Sequence, residues 1–375
     1  MKKILFVSSR NPYSGRYSGD VIRSLKVINF LKKNYLVDIV YLGSENQENS
    51  KNILVFKNPN LILKIFNCLY SIVKLKPIQF GLFFSKEMKN YILNNFENYD
   101  GIFFYHIRSS QYLPKNFRGF TLLEMGDLYS ENYHLMYKYL SPLNPLKYVY
   151  LIESFLVKKI EKSIFKNFDK IILFSKKEIQ RVDVMFRKKT IHINESIQKI
   201  SKSYSYSKKN STVLFVGNLH YLPNVLACKN FIKQTLPKLV KIIPDIKFCI
   251  IGSISKTNKF LFEKNKSVQV LDQQKNIEKY AKKAFCGLAN LEVATGVQGK
   301  VLTYMACGLP AICSKKVADN FDKKVLTYKN ESEFINCFKI LKYNKKKSEK
   351  ISKEALKYIK KFQWDSISKK YLKIF

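Results

Sequence analysis

The 375-residue chain has little cysteine, glycine, proline, acid or arginine, and each shortage closes off a class of protein. Seven cysteines, an odd number with no C-x-x-C pair, are too few to staple a disulfide scaffold. They read as reduced, mostly buried thiols of a cytosolic protein. Thirteen glycines and ten prolines exclude a collagen-like or low-complexity chain. No apolar stretch reaches about 18 uninterrupted residues, so no membrane-spanning helix is expected. The opening MKKILFVSSRNP has an apolar run too short for a secretory signal and reads as a buried first strand. Acids number 28 against 67 Lys plus Arg, giving a formal net charge of +39. Only seven of those bases are Arg, the last being Arg187. Nucleic-acid binders lean on Arg for bidentate contacts, and no helix-turn-helix, RRM or zinc motif is present. No specific nucleic-acid partner is therefore expected, and a basic nucleic-acid-binding protein is the least favoured alternative.

What is plentiful points elsewhere. Hydrophobic residues make up 46% and aromatics 14%, which excludes disorder. At about 150 residues per domain the length suggests two domains. Lys, Asn, Ile, Phe and Tyr share A/T-rich codons, so base composition is one source of the charge. An anionic membrane surface or a phosphorylated substrate is what the remaining field would attract. Residues 59–86, PNLILKIFNCLYSIVKLKPIQFGLFFSK, are apolar with interspersed Lys. Two readings fit them: a helix lying in an anionic interface, or a core-packing helix followed by a loop.

Short apolar runs alternate with amphipathic stretches throughout, the signature of parallel βαβ units. Strands are expected at 3–8, VDIVYLG, GIFFYH, GFTLLEM, KIILFS and TIHIN. Helices are expected over about residues 20–34, 84–97 and 130–167. Residues 196–211, rich in Ser and Lys, lose all apolar periodicity and read as a linker. A second series follows: STVLFVG, a helix after Pro223, IKFCIIG, SVQVLD, a helix over about 275–284, FCGLAN, the helix VLTYMAC stopped by Gly308, and AICS. The last 50 residues are mostly helical. The expected fold is α/β, with two Rossmann-like domains facing a cleft. In open parallel sheets ligands sit beyond the carboxyl ends of strands. That singles out the loop from Asn11 to Asp20, His106, Glu124 to Asp127, Gly217 to Asn224, and Glu292 to Lys300.

Three ordered blocks in the second half carry a family resemblance: VLFVGNLHYLPNVLACKNFIKQTLPKLVKIIPDIKFCIIG, SVQVLDQQKNIEKYAKKAFCGLAN and TGVQGKVLTYMACGLPAICS. They resemble glycosyltransferases of the GT-B fold, in the large retaining family known as family 4 or group 1. Pro223-Asn224 and Gly296 to Lys300 are similar to a subgroup tied to surface polysaccharide assembly. KILFVSSRNPYSGRYSGDVIRS, LLEMGDLYS, HINES and FQWDSISKKYL extend the resemblance over nearly the whole chain. It implies an acceptor-side domain at 1–195, a linker at 196–211, a nucleotide-sugar-binding domain at 212–355, and a helical tail at 356–375 crossing back to the first domain.

The resemblance implies a metal-independent hexosyltransferase with no cofactor beyond its nucleotide-sugar donor substrate. The acceptor would be a glycan or a lipid-linked saccharide, and the location cytoplasmic, peripheral on the inner face of a membrane. Gly217, Asn218, His220, Asn224, Gly296, Val297, Gln298, Lys300 and Thr303 are the implied donor-binding residues. Glycines let backbone amides approach the phosphates, the helix N-terminus adds its dipole, and Lys300 adds a charge. Asp127, Glu124 and His106 are the candidate catalytic groups. Gly19, Asp20, Arg23 and Arg108 are the candidate acceptor-side groups, Arg108 toward a lipid-linked phosphate. His134 and His192 read as structural. The family's E-x7-E pair is replaced here by Thr295 and Thr303, and Glu292 lies near. A hydroxyl at 303 cannot grip a ribose as a carboxylate does. The alternative is therefore a GT-B protein with a degenerate donor site and no transferase activity.

Overall fold

A computed structural model describes residues 1–15, 19–44, 51–322 and 324–374. The chain divides into two compact units, Met1–Asn194 and Glu195–Phe375. Each is an open, wholly parallel sheet flanked by helices.

The first sheet comprises β1 (Lys3–Ser8), β2 (Leu36–Gly43), β3 (Ile53–Lys57), β4 (Gly101–Tyr105), β5 (Phe120–Gly126), β6 (Lys170–Leu173) and β7 (Thr190–His192). Their spatial order is β3-β2-β1-β4-β5-β6-β7. The central strands ILFV, IFFY and LLEM are buried on both faces, as continuous apolar runs in a covered parallel sheet must be. The chain leaves β1 toward one edge and returns at β4 on the other side. The crevice between β1 and β4 is thus the switch point where such sheets bind ligands.

The second sheet comprises β8 (Thr212–Val216), β9 (Lys247–Ile251), β10 (Val268–Leu271), β11 (Ala284–Ala289), β12 (Ala311–Ser314) and β13 (Leu326–Tyr328). Its order, β10-β9-β8-β11-β12-β13, puts the switch point between β8 and β11. The helix Gly299–Ala306 ends in a Schellman stop: Gly308 takes φ 73°, and the Leu309 N–H reaches the Tyr304 carbonyl at 2.9 Å. Below that helix the Tyr304 ring lies where a side chain on Gly287 would stand, 2.4 Å from its Cβ position. Residues 196–207 form no helix or strand, yet Ile197 and Tyr204 are buried in the second unit's core.

Every expected strand is present, and two strands went unread. β3 is a half-buried edge and β13 has three residues, so neither shows a full apolar run. The expected helix at 275–284 shrinks to Glu278–Ala281. The larger surprise is the segment 59–86. Its helix Leu61–Val73 buries only Ser71, and nine of its apolar side chains are exposed. The core-packing reading of this helix does not hold.

Candidate functional site

Both switch points gather the residues that strand-end reasoning nominates. In the second unit Gly217 and the turn to Asn224 leave β8, while Gly296 to Lys300 follow β11. They converge through Asn224. Its Nδ2 donates to the Asn218 carbonyl at 2.8 Å, and its Oδ1 accepts from Lys300 Nζ at 2.6 Å. The Asn218 side chain caps the same turn by accepting the His220 N–H at 2.9 Å. A Cβ at Gly217 would crowd Asn224 Nδ2 at 3.0 Å and touch Lys300 Cε at 3.4 Å, so it would press on the pair that joins the two loops. Gly252 makes way for the Gly217 carbonyl, which would stand 1.8 Å from its Cβ.

Lys300 has no carboxylate partner among the described residues. Its ammonium rests on the Asn224 carboxamide and lies 4.6 Å from the Phe215 ring centre. Burial lowers its pKa to about 8. The helix Gly299–Ala306 begins at Gln298 with no side-chain cap. The Gln298 side chain turns back instead, donating to the Thr295 carbonyl at 2.9 Å. A Cβ on Gly299 would meet nothing within 4 Å, so open space lies over the helix N-terminus. Gly296 takes φ 63°, and its carbonyl is held by Asn320 Nδ2 at 2.8 Å, a partner the sequence pattern gave no reason to expect. Val297 is half-buried and His220 exposed. The Thr303 hydroxyl donates to the Gly299 carbonyl at 3.1 Å, one turn back. Thr295 is buried, and its hydroxyl has no partner among the described residues. Glu292 is exposed, and its carbonyl accepts Lys316 Nζ at 2.6 Å.

In the first unit the loops after β1 and β4 meet. Arg10 Nη1 contacts Asp20 Oδ2 at 2.5 Å, and the Tyr105 hydroxyl donates to the Asp20 carbonyl at 2.8 Å. Gly19 opens the helix Gly19–Asn34, with open space at its Cβ position. His106 adopts φ 72°, ψ 146°, a region nearly closed to side chains other than glycine's. Such strain costs about 1–3 kcal/mol and collects at functional sites. Burial, then the charges of Arg108 and Arg10, push the His106 pKa well below its ordinary value, so the ring is neutral. Its Nε2 lies 2.6 Å from the Tyr129 hydroxyl. Burial, then the Asp127 charge, keeps that phenol protonated. The phenol and the neutral imidazole share one hydrogen bond whose direction follows the tautomer, and the imidazole Nδ1 has no partner among the described residues. Arg108 donates through Nε to Gln79 at 2.9 Å and stacks 4.5 Å from the Phe83 ring centre, and its buried Nη1 has no acceptor among the described residues.

Arg23 and Glu124 form a buried ion pair, Nε to Oε1 at 2.5 Å, each side chain only 1% exposed. Arg23 also donates to the Asn194 carbonyl at 2.8 Å and lies over Phe174. The pair ties the helix Gly19–Asn34 to β5 beneath the site. Neither side chain reaches solvent, so both position the site instead of touching a substrate. Asp127 sits in the turn after Gly126, whose φ is 83°. Two buried carboxylates clamp that turn: Glu178 accepts the Leu128 N–H at 3.3 Å, and Glu161 accepts the Ser130 N–H and hydroxyl at 3.1 and 2.5 Å. Both lie in Lys-rich helices where sequence suggests a solvated face.

Burial raises the Glu161 pKa to about 7, and burial followed by the Asp127 charge raises Glu178. The stability that a raised carboxyl contributes is complete below about pH 4.5 and is lost as pH climbs through the folded pKa. Thermal stability should therefore fall between about pH 5 and 8. Glu161→Gln, which can still accept from and donate to Ser130, should flatten that slope. Parallel melting profiles for the two proteins would refute the assignment.

The chain is similar to known proteins in its second unit's sequence and in its fold. Residues 210–339 match the family model described as Glycosyl transferases group 1. Among solved structures, HepE of Anabaena with UDP and glucose superposes with a TM-score of 0.65 at 12% identity, covering 100% of this chain and 99% of that one. An α,α-trehalose-phosphate synthase (UDP-forming) of Burkholderia vietnamiensis gives 0.69 at 10% identity, covering 100% and 96%. Residues 210–339 thus match a group 1 glycosyl transferase domain, and the chain as a whole shares the two-unit α/β fold of these solved structures. It is also 24% identical over 291 residues, 72% of this chain and 70% of the other, to an uncharacterised 44.6 kDa protein in the cps region of Klebsiella pneumoniae.

Proposed function

We propose that the chain is a retaining, metal-independent hexosyltransferase of surface polysaccharide assembly, acting in the cytoplasm on a glycan or lipid-linked acceptor. The observation that carries this is Lys300: a half-buried ammonium with no carboxylate partner among the described residues, beside a helix N-terminus without a side-chain cap at a switch point. Such a site is suited to a diphosphate. HepE holds UDP and glucose, which makes a UDP-sugar the first donor to try. The Klebsiella relative's cps region supports the polysaccharide assignment.

In the transfer, the bond from the anomeric carbon to the diphosphate oxygen breaks, and its electron pair leaves with the phosphate. Lys300 and the amides from Gly296 to Gly299 stabilise that charge. The acceptor oxygen bonds the anomeric carbon on the same face and passes its proton to the departing diphosphate oxygen. Within the first unit Asp127 serves acceptor positioning, and Glu124 with Arg23 fixes the strand that leads to it. Arg108 offers donors for an acceptor phosphate and the unpartnered Nδ1 of His106 a hydrogen bond for an acceptor hydroxyl, with Asp20 held by Arg10 at the start of the helix Gly19–Asn34.

A second reading, a GT-B protein that no longer turns over, is favoured by Thr303, whose hydroxyl is spent on its own helix. Proton NMR of the purified protein with UDP-sugars and a membrane lipid extract separates the two. Retention predicts a new anomeric signal with the donor's configuration. An inverted signal refutes the retaining mechanism, and no consumption of any nucleotide-sugar supports the second reading.

A further inference from the structure

The helix Leu61–Val73 is amphipathic the wrong way round for a soluble surface. Its polar and small residues face the protein: Asn67 Nδ2 donates to the Phe84 carbonyl at 3.3 Å, Cys68 Sγ to the Ile78 carbonyl at 3.5 Å, and Ser71 is buried. Gly81 lets the following turn press against the Asn67 backbone, where a Cβ would stand 2.5 Å from the carbonyl oxygen. The apolar side chains point outward, with Leu61 73%, Phe66 65% and Val73 77% exposed. A second apolar row lies on the first half of the helix Leu146–Asn167, where Val149, Ile152 and Phe155 are exposed. The two rows belong to one region, because Glu153 accepts the Ile78 and Gln79 N–H groups at 3.0 and 2.9 Å just beyond the first helix. Isolated apolar patches of this extent on a folded surface mark a docking face.

Charge selects the occupant. No acid occurs in residues 51–86 or 132–152, whereas Lys64, Lys74, Lys76, Lys138 and Lys147 do. Beside the helix a cavity of about 1340 Å³ is lined by Asn67, Tyr70, Lys76, Lys89, Lys115 and Arg118, among others. None of the three lysines pairs with a carboxylate among the described residues. The one acid lining it, Asp169, is engaged by the Thr121 N–H and hydroxyl at 2.8 and 2.7 Å. Burial, then Lys76 and Lys115, lower the Lys89 pKa to about 8, and its ammonium donates to the Gln111 carbonyl at 3.1 Å. The cavity opens where β5 and β6 begin, at the end of the sheet away from His106 and Asp127. A second copy of the chain would bring lysine against lysine. An anionic bilayer offers hydrocarbon for the helix and phosphate for the cavity. No helix among the described residues is long and apolar enough to span it.

We propose that this face of the first unit docks on an anionic lipid bilayer, the helix Leu61–Val73 lying in the interface and Lys76, Lys89 and Lys115 receiving headgroup phosphates. The inference does not rest on sugar transfer. Co-sedimentation of the full chain tests it, with vesicles of phosphatidylcholine alone or mixed with phosphatidylglycerol. Binding should be much tighter to the mixed vesicles and weaken with salt. Phe66→Ser and Val73→Ser, both on exposed positions, should each weaken it about tenfold with unchanged melting temperature. Lys76→Ala with Lys115→Ala should weaken it by about fivefold per charge and flatten the salt dependence. Three results would overturn the proposal. One is no vesicle binding. Another is concentration-dependent dimerisation lost in Phe66→Ser, which would make the face a self-interface. The third is full competition by free glycerol phosphate, which would make the cavity a soluble-anion site.

Discussion

Lys300→Met should lower the catalytic efficiency of nucleotide-sugar turnover by about 10²–10³, the usual loss when one preorganised charge stabiliser is removed. It should do so without lowering thermal stability. The ammonium rests on the Asn224 carboxamide and the Phe215 ring, with no carboxylate partner among the described residues, and burial depresses its pKa to about 8. A base whose folded pKa is depressed destabilises the folded protein at neutral pH, where it is charged, so its removal offsets the lost hydrogen bond. Bound diphosphate would favour the protonated form. Nucleotide affinity should accordingly be full near pH 7 and fall as pH rises through about 8 to 10. An Asn224→Ala variant should weaken binding less, because it misplaces the charge and leaves it present. Unchanged turnover in Lys300→Met would remove the diphosphate assignment of this loop.

The second large effect lies in the first unit. Arg23→Leu or Glu124→Leu alone should destabilise it by about 3–5 kcal/mol, because each leaves a buried charge without its partner. For a unit of this size that corresponds to a fall in melting temperature of roughly 10 °C. The double variant should recover much of the loss, since an apolar pair of similar volume avoids the desolvation cost. Recovery will be incomplete, because Arg23 also holds the Asn194 carbonyl and packs on Phe174. Additive losses in the double variant would show that the two side chains act separately.

The contrast between these sites shows what a sequence can carry. Strands such as ILFV and CIIG announce themselves because both faces are buried, and β3 escapes notice because one side is open. The loops after β1, β4, β8 and β11 were nominated by strand ends alone, and the switch points fall there. Lys300 and Asn224 could each be named, but 76 residues separate them, and no spacing rule says that one holds the other. Glu161 and Glu178 were invisible for the opposite reason. Lysine-rich flanks look solvated, and only the fold turns those carboxylates inward onto the Asp127 turn. The helix Leu61–Val73 has the right period and the reverse orientation, since periodicity identifies an apolar face without saying what meets it.

The most direct measurement is a thermal-shift panel of UDP, GDP, CMP, ADP and their sugar conjugates at low and high salt. It uses the native protein and the Lys300→Met variant. A ligand at about 100 times its Kd adds roughly 2.7 kcal/mol to the native state, which moves the melting point by degrees. One nucleotide should stand out in both salts and lose its effect in the variant. Equal small shifts that vanish in salt and persist in Lys300→Met would contradict a nucleotide-sugar site, leaving a basic surface that merely collects anions.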